Sequence, residues 1–308
     1  MKRIFFEDEG TFWMKGNLHA HSTYSDGRLT PEQLADAYRR RGYDFLAVTD
    51  HDYYRSYPEL EREDFLMVPG MELTGPLTKE KNGHFCVIQR GQKSDFLQGE
   101  TFSLQNREET ELFLKEHHSN YIFILNHPYW SLLEWEEMIG LEHLTAMEVY
   151  NHGSELLCGV GESMHFWNTL LRKGKRILGV AADDSHNRGE TQDGWPFSFP
   201  YCDSFGGWIM AKTREKSKRG IIEALESGSF YATTGPEIED FFVEQDRFYV
   251  KCSPCRSIVL SGDWGYFQRK LGVGLTEFTG TLRGKEKFVR VQCTDENGRR
   301  AWTNPIYL

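Results

Sequence analysis

Hydrophobic and polar positions follow two rhythms along the first three quarters of the chain. Short apolar runs at 45–49, 65–69, 121–125, 145–150, 176–181 and 207–211 have the length of buried strands. Between them, residues 31–41, 108–118, 132–138, 162–172 and 215–226 carry apolar side chains at helical spacing. Residues 17–21 read as the end of a first strand, and an insertion at 75–91 holds a further strand, 84–89. Thr30 before Pro31 marks a helix start, Gly42 its stop, and Ser227-Gly228 the stop of the last helix. Roughly seven strand–helix units in succession predict an α/β fold built on a parallel sheet or barrel.

After Thr233-Thr234-Gly235-Pro236 the rhythm changes. Short alternating runs at 241–244, 247–251, 257–260, 288–293 and 301–308 are separated by turn residues such as Ser261-Gly262-Asp263 and Asn297-Gly298. The expectation is a barrel domain over 1–235 and a small antiparallel, β-sandwich-like domain over 236–308 packed against it.

Composition narrows the function classes. The chain has 308 residues and a net charge of −10, from 36 Lys and Arg against 46 Asp and Glu. Such a surface has no overall field for holding polyanions, so no stable nucleic-acid partner is expected. No apolar stretch is long enough to cross a bilayer, and the first residues do not form a secretory signal. Cys86, Cys158, Cys202, Cys252, Cys255 and Cys293 are scattered, unlike a secreted disulfide framework. The expected compartment is the cytoplasm. Cys252-x-x-Cys255 has no second pair and no nearby His, so incidental thiols outweigh a zinc site there.

The 11 His carry the chemistry. His19-x-His21 ends the first strand, with Asp26 in the loop behind it. Asp50-His51-Asp52 ends the second strand, and Glu72 follows the third. His84 begins the inserted strand, Asn126-His127-Pro128 ends the next, and Asp183-Asp184-Ser185-His186 follows the sixth. Strand carboxyl ends are where barrels build their sites. Taken singly, each His is better read as a hydrogen-bonded structural residue, and each Asp as a helix cap. Together on one rim, they read as ligands. Alternation turns His19 and His21 to the same side, and likewise Asp184 and His186. Imidazole mixed with carboxylate suits zinc, iron or manganese, and nine such donors exceed one ion's needs, which implies two or three bridged ions.

These stretches resemble a known family. Leu18-His19-Ala20-His21-Ser22-Thr23-Tyr24-Ser25-Asp26-Gly27 and Ala47-Val48-Thr49-Asp50-His51-Asp52 are similar to the first two motifs of the PHP (polymerase and histidinol phosphatase) superfamily. Gly70-x-Glu72, Asn126-His127-Pro128 and Asp184-Ser185-His186 resemble its later motifs, in order, over residues 14–235. The resemblance implies a distorted (β/α)7 barrel and a multinuclear metal site for hydrolysis, usually of phosphoesters. It places His19, His21, Glu72 and Asp184 around one ion, Asp26, His51 and His186 around a second, and Glu72, His84 and His127 around a third. The Asp183-Asp184-Ser185-His186 form and the tail Ala301-Trp302-Thr303-Asn304-Pro305 are similar to the CehA/McbA-type branch, which includes hydrolases of non-phosphate esters and carbamates.

The expected activity is hydrolysis of small phosphomonoesters or nucleotides by a hydroxide bridging two divalent ions. Asp184, His186 and Arg188 are the residues expected nearest the chemistry, with Arg188 placed to meet a substrate anion. The alternatives are a carboxyl-ester or carbamate hydrolase of the same fold, and a metal-stabilised binding module without turnover. An amidohydrolase-type site would need a metal-bridging Lys at a strand end, which has no counterpart here. His117, His118, His143 and His165 are expected in structural roles, and His152 is a candidate for facing the pocket. Oligomeric state is left open.

Overall fold

Thr30 caps the first helix, Pro31–Arg40, as the sequence predicts. Its hydroxyl accepts from the Gln33 N–H at 3.3 Å, and the Gln33 side chain accepts from the Thr30 N–H at 2.9 Å. Past the helix end, Gly42 takes a left-handed φ of +73°. Leu34, Ala35 and Tyr38 are the face it buries, against Ala20, Leu46 and Val48. The structure, a computed structural model, describes residues 2–4, 10–188, 202–264 and 268–308.

Two sheets position the site. In a five-stranded sheet, Leu178–Ala182, Leu144–Asn151 and Tyr121–Leu125 run parallel, followed by the antiparallel pair Asn82–Gln89 and Gly70–Pro76. Every residue of Tyr121–Leu125 is buried, as its unbroken apolar run requires. Ile122 and Ile124 face an inner cluster with Phe45, Val68, Val180 and Ile209, while Tyr121, Phe123 and Leu125 face Phe113, Leu114 and other outer residues. In the second sheet, Phe12–Asn17, Phe45–Leu46 and Leu66–Met67 are parallel, and Trp208–Thr213 returns antiparallel beside Phe12–Asn17.

A closed (β/α)7 barrel is therefore not what strand pairing gives, and that expectation is corrected to a mixed α/β fold of several sheets. Among the described residues there are six α-helices. The chain between Leu46 and Leu66 holds no α-helix, only the short strand Tyr53–Tyr54 and a 3-10 turn, Pro58–Leu60, and the inserted strand forms a hairpin. The physical reason lies in the polar segments after Leu46 and Asn17, which leave their ladders early to build the rim. Isolated parallel bridges, Ala20 to Ser185 and His51 to Glu72, join the two sheets there.

The strands after residue 235 extend the second sheet. Arg300–Thr303 pairs with Phe230–Thr233, which pairs with Trp208–Thr213, so hydrogen bonding runs across 235. Asn304 fastens the chain end: its side chain accepts from the Gly179 N–H at 2.7 Å and donates to the Phe230 carbonyl at 3.1 Å. The long edge strand Gln268–Thr281 escapes sequence reading because it is mostly exposed and Gly-interrupted, with no buried alternation to betray it. Among the described residues, no helix is long and apolar enough to cross a membrane.

Candidate metal centre

Backbone pairing at the seam between the sheets sets the site. The His21 N–H donates to the Ser185 carbonyl and the Asp184 N–H to the His19 carbonyl, each at 2.9 Å. This splice extends both strands beyond their regular ladders and points His19, His21 and Asp184 at one another. Asp184 and His127 have left-handed φ values of 55° and 23°, backbone strain that non-glycine residues accept where the surroundings dictate it.

All nine expected ligands converge on this rim. His19 Nε2 lies 3.2 Å from both Glu72 Oε1 and Asp184 Oδ1 and 3.1 Å from His21 Nε2. His21 Nε2 in turn lies 3.1 Å from Asp184 Oδ1 and 3.3 Å from Glu72 Oε2. A second group forms around Asp26, whose Oδ1 is 3.2 Å from His186 Nε2 and 3.5 Å from His51 Nε2, with His21 beside them. The third group is His51, Glu72 and His84. His51 Nδ1 is 2.8 Å and His84 Nδ1 3.5 Å from Glu72 oxygens. His127 reaches Glu72 Oε1 at 3.2 Å and lies 3.7 Å from Asp184 Oδ2. The third group thus takes in His51, and His127 stands beside it.

The donor chemistry fits cations. A carboxylate oxygen accepts, so the 2.8 Å contact to Glu148 Oε1 places the hydrogen on His19 Nδ1. In the neutral ring, Nε2 then presents a lone pair to two carboxylate oxygens and a second imidazole. Glu72 Oε2, fully buried, makes no aligned hydrogen bond despite its close imidazole neighbours, and neither does His84 Nδ1. Such a knot of acceptors holds together only around positive charge. Without metal, protons supply it. Burial alone would lower His21, yet hydrogen bonds to Asp184 and Glu72 raise it to about 9. Burial likewise opposes protonation of His19, and the Asp184 charge outweighs it, lifting its pKa well above the usual value. Against burial, the His19 charge holds both Glu72 and Asp184 below the usual carboxylate range. Burial and the His21 charge lower His186 to about 4, which leaves its ring neutral and free to ligate.

Sequence reading missed the residues that hold these ligands. Glu148 is buried in Leu144–Asn151, where its second oxygen accepts from the His127 N–H and the Asn151 amide, each at 2.7 Å. A carboxylate amid Ala146, Met147 and Val149 was the available signal. Asn126 donates to Glu72 Oε1 at 2.8 Å. Asp50 accepts from the Ser22 N–H, the Ser22 hydroxyl and the Ser25 hydroxyl, and so pins the Asp26 loop. Asp183 accepts from Tyr38 and from the N–H groups of Phe205, Gly206 and Gly207. Asp203 accepts from the His186 and Asn187 N–H groups. Glu148→Gln keeps the shape but offers an NH2 where only acceptors fit. It is expected to weaken metal affinity or activity roughly 10–100-fold, the usual loss for an outer partner. Metal titration of the folded variant checks this.

A cleft of about 680 Å³ opens over the rim. Its floor is Asp26, His51, Glu72, His84, His127, Asp184 and His186, and its walls include Trp130, Leu156, Leu157 and Arg188. Trp130 meets the His127 ring edge-on at a centroid distance of 5.0 Å. Arg188 pairs with Asp26, its Nη2 on Oδ2 and its Nε on the Asp26 carbonyl at 3.0 Å, and remains 54% exposed. Among the described residues it is the one Lys or Arg lining the cleft. His152 does not face it. That ring meets the Tyr150 hydroxyl and the Cys202 carbonyl in a neighbouring hollow. His117 ends the helix Arg107–His117, and His118 caps it and stacks on His143.

The chain spans 99% of its own length, and 98% of the other's, when superposed on a two-domain protein from Bacteroides vulgatus ATCC 8482 that contains a predicted PHP-like metal-dependent phosphoesterase. The TM-score is 0.53 at 17% identity, a likeness of fold. In sequence, 41 residues are 46% identical to the DNA polymerase/3'-5' exonuclease PolX of Bacillus subtilis (strain 168), covering 13% of this chain and only 7% of that protein. The PHP domain model matches residues 17–180, which include seven of the nine clustered residues; Asp184 and His186 lie four and six positions beyond its end. The chain belongs to the PHP domain family.

Proposed function

We propose that this chain is a metal-dependent hydrolase acting on small phosphomonoesters or nucleotides. The convergence of His19, His21, Glu72 and Asp184 within 3.1–3.3 Å at the floor of an open cleft carries the reading. These four residues would hold one divalent ion, and His21, Asp26, His51 and His186 a second. His51, Glu72 and His84, with His127 against Glu72, would hold a third. Zinc, manganese and iron suit this mix of imidazole and carboxylate. When bound, such ions acidify a water into a nucleophile near neutral pH and neutralise charge on the ester oxygens.

The chain's own residues do the rest. Glu148 fixes the ring of His19 and, through the His127 N–H, the backbone of His127. Asp203 holds the 186–187 backbone that borders the cleft, and Asp183 the 205–206 backbone of the neighbouring hollow. Arg188 stands at the mouth, where its exposed guanidinium meets an incoming phosphate while Asp26 keeps it in place. Arg188→Ala is expected to raise KM about tenfold with a smaller change in kcat, as for a lost charge-assisted contact in a solvent-exposed position. Steady-state kinetics on a phosphomonoester reads that split.

A second reading rests on the cleft wall. Trp130 and Leu157 are 47% and 76% exposed beside the rim, a surface suited to the apolar part of a carboxyl ester or carbamate. Placement in the CehA/McbA-type branch, proposed from Asp183-Asp184-Ser185-His186 and the tail, agrees with it. A panel of phosphomonoesters, phosphodiesters, carboxyl esters and carbamates, supplemented with manganese and zinc, separates the two. Turnover of phosphomonoesters is expected. Turnover confined to carboxyl esters and carbamates would overturn the phosphoester reading and leave a hydrolase. No turnover at full metal occupancy would favour a binding module.

A further inference from the structure

Three thiols meet in the core formed by the strands after residue 235. Cys252 and Cys255 lie on Arg247–Gly262, and Cys293 lies on its antiparallel neighbour Phe288–Thr294, opposite Ile258. Residues three apart on a regular strand face opposite sides. Here the pairing register slips between Lys251 and Cys255 and again between Cys255 and Ser257. Ser253 and Pro254 fall in that irregularity, and Pro254 is exposed. The effect is that of a bulge, turning Cys255 inward beside Cys252. All three side chains are buried, all are reduced, and their sulfurs lie within 4.8 Å of one another. The surrounding side chains are apolar, among them Ile238, Val250, Ile258, Val291 and Ala301.

We infer that Cys252, Cys255 and Cys293 form a thiolate site for one cuprous ion, separate from the rim. Sulfur-only donors select soft ions, and copper(I) and zinc are the common ones. A structural zinc site takes four donors. The group supplies three, with no His or carboxylate among them, which suits a three-coordinate monovalent ion. Ligation releases to solvent the proton of each thiol that binds as thiolate, and one thiolate already neutralises Cu⁺. With the other two sulfurs bound as thiols the apolar core then holds no uncompensated charge, whereas a divalent ion would need two thiolates. The bland account is three small hydrophobes filling a core. It predicts no metal.

The test titrates the full chain with Cu(I) under argon against a chromophoric cuprous chelator. Because the sulfurs are buried, copper is supplied both to the folded chain and during refolding. One equivalent should be retained by the parent and by His19→Ala, and lost in Cys255→Ala. Retained copper should also protect Cys252, Cys255 and Cys293 from alkylation during a short denaturing pulse, a readout that needs no variant. Three outcomes would overturn the inference: no retention under either loading, equal retention by Cys255→Ala, or free alkylation of the three thiols in the copper-loaded parent. Zinc held at these sulfurs in preference to copper would overturn the cuprous assignment.

Discussion

Glu72→Gln is expected to abolish turnover and to strip more metal from the chain than any other single rim substitution that keeps the side-chain volume. Glu72 is fully buried, and its two oxygens face His19, His21, His51, His84 and His127. Among the described residues, no other carboxylate of the rim belongs to two of the ligand groups. Gln halves its acceptor capacity, removes its charge and turns an NH2 toward imidazole nitrogens that need lone-pair neighbours or a cation. The loss of activity should therefore exceed the roughly 10–100-fold expected for an outer partner such as Glu148. His127→Ala is the comparison. It removes one donor at the edge of the third group, so it should cost less metal than Glu72→Gln and cut turnover more than melting temperature. Metal content and kcat/KM measured on the same preparations check the order. Equal metal in Glu72→Gln, His127→Ala and the parent would sink the third site.

Chelation should lower the melting temperature, and by more as the pH rises. Ions bound at a thousandfold excess over Kd stabilise by about 4 kcal/mol each, enough to move the transition by several degrees or more. The pH trend follows from His21, whose pKa rises from 6.5 to about 9 in the metal-free fold. A raised pKa gives stability that is fully present below about 6.5 and is lost as the pH climbs through about 9. The chelated chain should thus weaken across that window. The loaded chain should not, because ligation needs the deprotonated imidazoles that higher pH supplies. Thermal melts with and without chelator between those limits should diverge. Parallel curves would contradict the charge balance derived for the rim.

Much of the site was legible because its donors sit in short, distinctive stretches at strand ends. His19-x-His21 needed only alternation, and Asp184 with His186 the same. The grouping was less legible. His51 joins the third group because the His51–Glu72 bridge brings two sheets together, a contact between distant segments that no local rhythm reports. Glu148 was hidden for the opposite reason. It lies within an apolar strand whose pattern reads as core, and its role comes from His19, 129 residues away. The fold shows a similar limit. Helix 31–40 announced itself through Thr30, Pro31 and Gly42, but two-residue ladders at Phe45–Leu46 and Leu66–Met67 do not distinguish a closed barrel from sheets joined by bridges. Cys252-x-x-Cys255 gave no sign of Cys293, because pairing and a register slip bring it near.

The most direct test of the central claim is the metal content of the chain, purified without chelator and reconstituted with manganese or zinc, set beside that of Asp184→Ala. Asp184 contacts His19 and His21 at 3.2 and 3.1 Å, so its loss should open the first group. About two to three ions per parent chain are expected, with a clear loss of metal and of hydrolysis together in Asp184→Ala. At most one substoichiometric ion in the parent, or the same content in both proteins, would contradict the claim.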